Sequence, residues 1–214
     1  NHFRLNTMQI DLTTANEKDR YKLLLSSVLP RPIALVTTQD DQARVNAAPF
    51  SFFNMMASTP AIIVLGIDSK SPGVPKDTVR NIELTGEFVV NMVSEEIAEK
   101  MNLCASPLPA GEDELKYAGL TAAPSVQVKP PRVAESPINM ECRVVQIMDI
   151  GNHRNIVIGN VIHYHIDDRF YDAENGYVMV EKLGLVARMH GKSFYLRSHD
   201  IFELERPTGS STLR

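Results

Sequence analysis

The sequence predicts a mainly β protein built on an antiparallel barrel, closed or partly closed, with a few peripheral helices. Three observations predict it. Compact runs rich in β-branched residues recur along the chain and are punctuated by Pro and Gly. Two long apolar runs, 138–150 and 156–165, are separated by Gly151, Asn152, His153, Arg154 and Asn155, a connection of hairpin length and composition. Helical periodicity is confined to four short segments, too few and too irregularly placed for a doubly wound parallel sheet.

In chain order, residues 17–25 carry the first helical pattern, and IALVTT at 33–38 is the first strand. IIVLG at 62–66 and FVVNM at 88–92 are the next two strands. Between them, 78–85 reads as a helix with Asp77 or Thr78 as its cap and Gly86 as its stop. Helical pattern returns at 94–102 and 112–117. The Pro-containing stretch 123–137 reads as a surface connection inside one domain, because composition does not change across it. One domain is expected over 21–200, with an arm at 1–20 and a tail at 201–214. Residues 1–7 precede Met8 and read as a cloning remnant or a short native arm.

With 214 residues, 43% of them hydrophobic, the chain is long enough to bury a substantial core. A net charge of -4, with Lys and Arg scattered, offers no basic stripe for nucleic acid or an acidic membrane surface. The expected partners are small molecules and further copies of the chain. No apolar run approaches bilayer length and no secretory leader is seen, which points to the cytoplasm. Cys104 and Cys142 lack the neighbours of a zinc site and are expected to be buried or inert. His163 and His165 stand at strand spacing on one face. Without a third ligand nearby they read as surface or dimer-contact residues rather than a metal pair.

Two segments carry candidate chemistry. In NAAPFSFFN at 46–54, Pro49 cannot donate to a ladder, and Ala47 and Ala48 present little bulk, so a flat ligand has access to main-chain donors and acceptors. Phe50, Phe52 and Phe53 then wall a pocket. The competing reading is an edge strand with a bulge at Pro49 and Phe residues in the core. In PKDTVRNI at 75–82, Lys76 puts a cation at the positive end of a helix dipole, which suits a bound anion. A phosphate held by Lys76, the Thr78 hydroxyl and the first helical N–H groups satisfies both. Glycines at Gly159-Asn160 and His190-Gly191-Lys192 compete for that role, but no dinucleotide, phosphate-loop or nucleophile-elbow fingerprint is present.

RPIALVTT at 31–38, NAAPFSFFN at 46–54, KDTVRNI at 76–82 and GEFVVNMV at 86–93 together resemble the flavin reductase-like family of FMN-binding split barrels. KYAGLT at 116–121, RVAESP at 132–137, Glu141-Cys142 and RMHGKSFY at 188–195 extend the resemblance over about 21–195. It implies an antiparallel Greek-key split β-barrel working as a homodimer. It also implies FMN held by Pro32, Asn46, Ala47, Ala48, Pro49, Phe50 and Ser51, with Phe53 beside it. Lys76, Asp77 and Thr78 then lie at or near the phosphate. Arg188 and His190 either approach the flavin, from a partner copy or the closing strand, or form a solvated strand end. No side chain acts as a nucleophile, since the flavin carries the chemistry. The implied reaction is hydride transfer from NADH or NADPH to FMN, with delivery to a small-molecule acceptor or a redox partner protein. An FMN electron carrier without a nicotinamide site, and a non-catalytic flavin-binding module, are the rival readings.

Overall fold

The computed structural model describes residues 7–109, 111–205 and 207. Residues 1–6 of the expected N-terminal arm, and 206 and 208–214 of the expected tail, lie outside them. Seven strands form the main sheet: β1 (Ala34–Gln39), β2 (Val45–Phe50), β3 (Phe53–Ser58), β4 (Ala61–Ile67), β5 (Glu87–Met92), β6 (Ile138–Asp149) and β7 (Asn155–Ile166). Their order is β2-β1-β5-β6-β7-β4-β3, antiparallel throughout.

The edge strands β2 and β3 are consecutive in the chain, with only Ser51 and Phe52 between them. Laid flat at about 4.8 Å per inter-strand gap, the sheet would hold these edges roughly 29 Å apart. Residues 50 to 53 span only about 10 Å. The sheet therefore curls until its edges meet at this corner, while β2 and β3 form no ladder with each other: a split barrel. The connection after β4 passes β7 and β6 to pair β5 with β1, the crossing of a Greek key.

The apolar character of β1 follows from burial on both faces. Leu35 joins an outer cluster with Ile33, Ala47, Val93 and Met101, whereas Ala34 and Val36 join Phe50, Leu65, Phe88 and Val157 inside the barrel. Helix α1 (Glu17–Ser27) starts at Asn16, whose side chain accepts the Asp19 N–H at 2.9 Å. Helix α2 (Asp77–Thr85) adds Val79 and Ile82 to the barrel cluster and ends on Gly86 at φ 69°. Helices α3 (Ala98–Leu103) and α4 (Glu114–Ala118) cover the outer cluster with Met101, Leu115 and Ala118, and α5 (Val180–Leu183) is one short turn. A separate small sheet joins Arg31–Pro32, Val186–Arg188 and Tyr195–Arg197, with Arg31 opposite Arg188 and Pro32 opposite Ala187. Among the described residues no helix is long and apolar enough to cross a membrane.

Several expectations need correction. The cap of α2 is Lys76, not Asp77 or Thr78, and it makes no side-chain capping bond. The helical pattern at 94–102 opens as a 3-10 turn, Glu95–Ile97. The pattern at 112–117 shifts because the Asp113 side chain accepts the N–H groups of Leu115 and Lys116 and so fixes the start of α4. The 123–137 connection is not confined to the surface, since Val128, Val133 and Ser136 are buried. Gly159 is a packing residue: a Cβ there would fall 2.5 Å from Cζ of the buried Phe88 ring.

Candidate functional site

The corner that closes the barrel also forms a cavity, and local chemistry explains its shape. The Ala47 N–H donates to Glu114 Oε2 at 2.9 Å, so the main chain at 47 faces away from β1. By alternation Pro49 does too, and its missing donor costs no ladder bond. Past the corner, the Gly66 N–H donates to the Phe52 carbonyl at 2.6 Å. A Cβ at Gly66 would lie 2.9 Å from Phe52 Cβ, so the glycine lets the corner settle on β4.

Two adjoining recesses result. One, of about 160 Å³, is lined by Tyr21 and Leu25 of α1, Arg31, Pro49, Phe50, Ser51, Phe52, Gly66, Asp68, Lys76 and Arg188. The other, of about 190 Å³, shares Pro49, Phe50, Ser51 and Arg188 and adds Ile33, Met101, Asn102, Ala105 and Tyr195. Each alone is smaller than the roughly 300 Å³ at which ligand pockets begin, and the two share four lining residues.

Electrostatically the site is one-sided. Arg31 is buried, and among the described residues its guanidinium is held only by neutral acceptors: Leu25 O (3.0 Å), Val28 O (2.9 Å), Met189 O (3.3 Å) and Ser51 Oγ (3.4 Å). Burial lowers its pKa, and the adjacent Arg188 charge lowers it further. Arg188 packs its guanidinium 4.8 Å from the Tyr195 ring centroid, and its Nη1 is buried without a hydrogen-bond partner among the described residues. Lys76 Nζ lies 6.0 Å from the Phe50 ring centroid. Among the described residues none of these three cations forms an ion pair. Asp68, the one carboxylate in the lining, is engaged by Arg154 at 3.2 Å. At the start of α2 the main-chain N–H groups of Asp77 and Thr78 make no hydrogen bond among the described residues. Asp77 supplies the first-turn anion, but Lys70 (3.1 Å) and Arg80 (3.5 Å) engage its carboxylate. Such a set of donors suits a phosphate monoester.

Of the residues singled out from the sequence, Pro49, Phe50, Ser51, Lys76 and Arg188 come together here. Phe52 lines the recess, whereas Phe53 packs half-buried against the barrel cluster together with Ala48. Ala47 and Thr78 are buried. Asn46 and Asp77 line a separate groove of about 280 Å³ beside Arg44 and Glu112. Asn46 Nδ2 donates to Thr78 Oγ1 at 3.1 Å, which fastens β2 to α2 and links the two segments directly. Pro32 sits beside Ala187 outside the recess, and His190 packs on Phe194 with ring centroids 4.6 Å apart. Gly191 is a packing residue, since a Cβ there would lie 3.2 Å from Tyr21 Cε1. Sequence reasoning missed Arg31, whose signal was a lone arginine opening an otherwise apolar run. Both thiols are buried, with Cys104 pushed up to about 12 by burial and by the Glu114 and Asp113 charges, and Cys142 raised by burial.

The family model for the flavin reductase like domain matches residues 25–181. An uncharacterized protein of Halalkalibacterium halodurans is 42% identical over 207 residues, covering 94% of this chain and 97% of that protein. The structure of 2-nitrobenzoate 2-nitroreductase from Pseudomonas fluorescens superposes with a TM-score of 0.87 at 34% identity, covering 96% of this chain and 99% of that one. Nitrilotriacetate monooxygenase component B from Bacillus cereus gives 0.86 at 33% identity, covering 92% and 98%.

Proposed function

The chain belongs to the flavin reductase-like family, and on that premise we propose that it is an FMN-dependent oxidoreductase that takes electrons from NADH or NADPH and passes them to a further acceptor. The observation that carries the reading is the buried Arg188 Nη1, without a partner among the described residues and set in the same lining as Lys76, which itself precedes N–H groups of α2 that are unpaired among those residues. A buried donor without an acceptor costs roughly 1–3 kcal/mol, and a ligand phosphate removes that cost. Once bound, the flavin supplies the hydride-accepting and electron-passing chemistry.

The chain's own residues hold and orient it. Lys76, Arg188 and the N–H groups of Asp77 and Thr78 take the phosphate. Arg31 positions Ser51 through the Nε to Oγ contact. Pro49, Phe50 and Phe52 wall the recess. Asn46, Ala47, Ala48, Phe53 and the Thr78 hydroxyl act behind the lining, by holding β2 against α2 and the cores. A cytoplasmic homodimer belongs to the same reading: Phe52, Met55 and Met56 stand exposed at and after the corner, an apolar surface suited to a second copy. The acceptor is a small molecule or a redox partner protein, in keeping with the nitroreductase and the monooxygenase component to which the chain is similar.

Anaerobic stopped-flow mixing of FMN-loaded protein with NADH, and separately with NADPH, tests the reaction. Fast bleaching of the flavin band with at least one of them is expected. Bleaching with neither overturns the reductase step and leaves an electron carrier or a binding module.

A further inference from the structure

His163 and His165 are two residues apart on β7, and the period of a strand puts both on one face. What the sequence withheld is a third ligand. Glu141 of β6 stands directly opposite His163 in the ladder, next to a register shift between Val161 and His163. Its side chain is fully buried. Oε1 accepts the Val126 N–H at 2.8 Å and meets His165 Nε2 at 2.5 Å, and Oε2 accepts the N–H groups of Gln127 (2.6 Å) and Val128 (3.2 Å). The two imidazoles meet edge to face with centroids 4.7 Å apart. One ligand atom from each of the three residues lies within 4.8 Å of the others. His163 makes no hydrogen bond through its ring among the described residues, and none of the three residues lines the flavin recess.

We propose that Glu141, His163 and His165 form a binding site for one divalent transition-metal ion of the zinc class. Ligand atoms about 2.0–2.2 Å from a tetrahedral ion sit roughly 3.4 Å apart, so the His165 to Glu141 contact opens by about 1 Å as the ion replaces the shared hydrogen. His163, free of other bonds, turns in as the third ligand. The amides of Val126, Gln127 and Val128 fix the carboxylate, the outer support that ligating carboxylates generally have. Two imidazoles with a single carboxylate favour zinc-like ions over calcium or magnesium, which want more oxygen ligands. Three protein ligands leave a fourth position for water. The bound ion ties the 126–128 segment to the β6–β7 hairpin.

The test uses the full chain, stripped with a chelator and desalted, and titrated with Zn²⁺ by calorimetry and with Co²⁺ by visible absorption. One ion per chain and the intense bands of tetrahedral cobalt are expected. His163→Ala should weaken binding by about tenfold or more with an unchanged circular dichroism spectrum, because that ring makes no hydrogen bond among the described residues and packs edge to face on His165. His153→Ala and His199→Ala should leave binding intact. Wild-type affinity no tighter than that of His163→Ala, or loss of binding in the two control variants instead, overturns the site.

Discussion

Two polar regions of this barrel are built on opposite terms. Where the 125–133 segment packs against β5 and β6, Asn91 and Asn139 are buried and all their amide hydrogens are used. Asn91 Nδ2 donates to Leu35 O (2.9 Å) and Thr37 Oγ1 (3.2 Å), and its Oδ1 accepts from the Val133 N–H (2.8 Å) and from Asn139 Nδ2 (2.8 Å). Asn139 Nδ2 completes its set on Val133 O at 3.0 Å. At the β2–β3 corner, by contrast, Arg31, Lys76 and Arg188 gather, and among the described residues no carboxylate pairs with them and one guanidinium nitrogen is buried with no partner. The satisfied network fixes the fold. The other leaves a donor that a ligand acceptor, such as the proposed phosphate, would satisfy.

That contrast is easiest to break at Asn91. Asn91→Ala removes both side-chain donors and the acceptor, and should cost about 3–4 kcal/mol of stability, seen as a fall in Tm of roughly 6–15 °C. FMN affinity of the folded variant should not change, and a parallel loss of affinity would show that the two regions are not separate. Arg188→Met should do the reverse, weakening FMN binding by about 1.5–3 kcal/mol while the Tm of the flavin-free protein holds or rises. Lys76→Ala should lower affinity in the same range, since it too loses a charge-assisted contact to phosphate. An unchanged dissociation constant in titration would take either residue out of the site.

Smaller effects sharpen the comparison at the edge of β2. Burial raises the Glu114 carboxyl above its usual range, and the Ala47 N–H only partly offsets it. A raised folded pKa means that stability is fully present below the unfolded value of about 4.3 and is lost as pH climbs through the folded value. Glu114→Gln keeps an acceptor for Ala47 without that loss. It should therefore gain on the wild type between pH 4 and pH 7, by under about 1 kcal/mol in urea melts. A wild type that gains on the variant over this window would mean the ionised carboxylate is favoured. Least of all should be seen at the thiols: with Cys104 pushed up to about 12 and Cys142 raised by burial, neither should react with a disulfide reagent until the protein unfolds.

Much of the barrel was legible because its strands are punctuated. β6 and β7 stand out as two long apolar runs around a glycine turn, and β1, β4 and β5 as compact β-branched segments. β3 was not legible, since Asn54, Met55 and Met56 are all exposed and the strand is defined by its pairing with β4 rather than by alternation. The site divides in the same way. Lys76 could be read from a cation at a helix start, and Pro49 from a missing donor. Arg31 could not, because part of what encloses it, Met189 and the paired Val186–Arg188 strand, lies near the far end of the chain. Thr78 offered a hydroxyl for phosphate in the sequence, but the fold buries it beneath Asn46. Glu141 and His163 become neighbours only through the ladder of the β6–β7 hairpin, which no local spacing reveals.

The central claim is that the cations of the corner serve the phosphate of FMN. Parallel titrations with FMN and riboflavin, followed by flavin fluorescence, test it most directly, because the two ligands differ only in that group. The account predicts that FMN binds at least about tenfold tighter, a gap of roughly 1.4 kcal/mol or more, and that Arg188→Met and Lys76→Ala each narrow the gap while leaving riboflavin affinity unchanged. Equal affinity for the two flavins, or a gap that survives both substitutions, would contradict it.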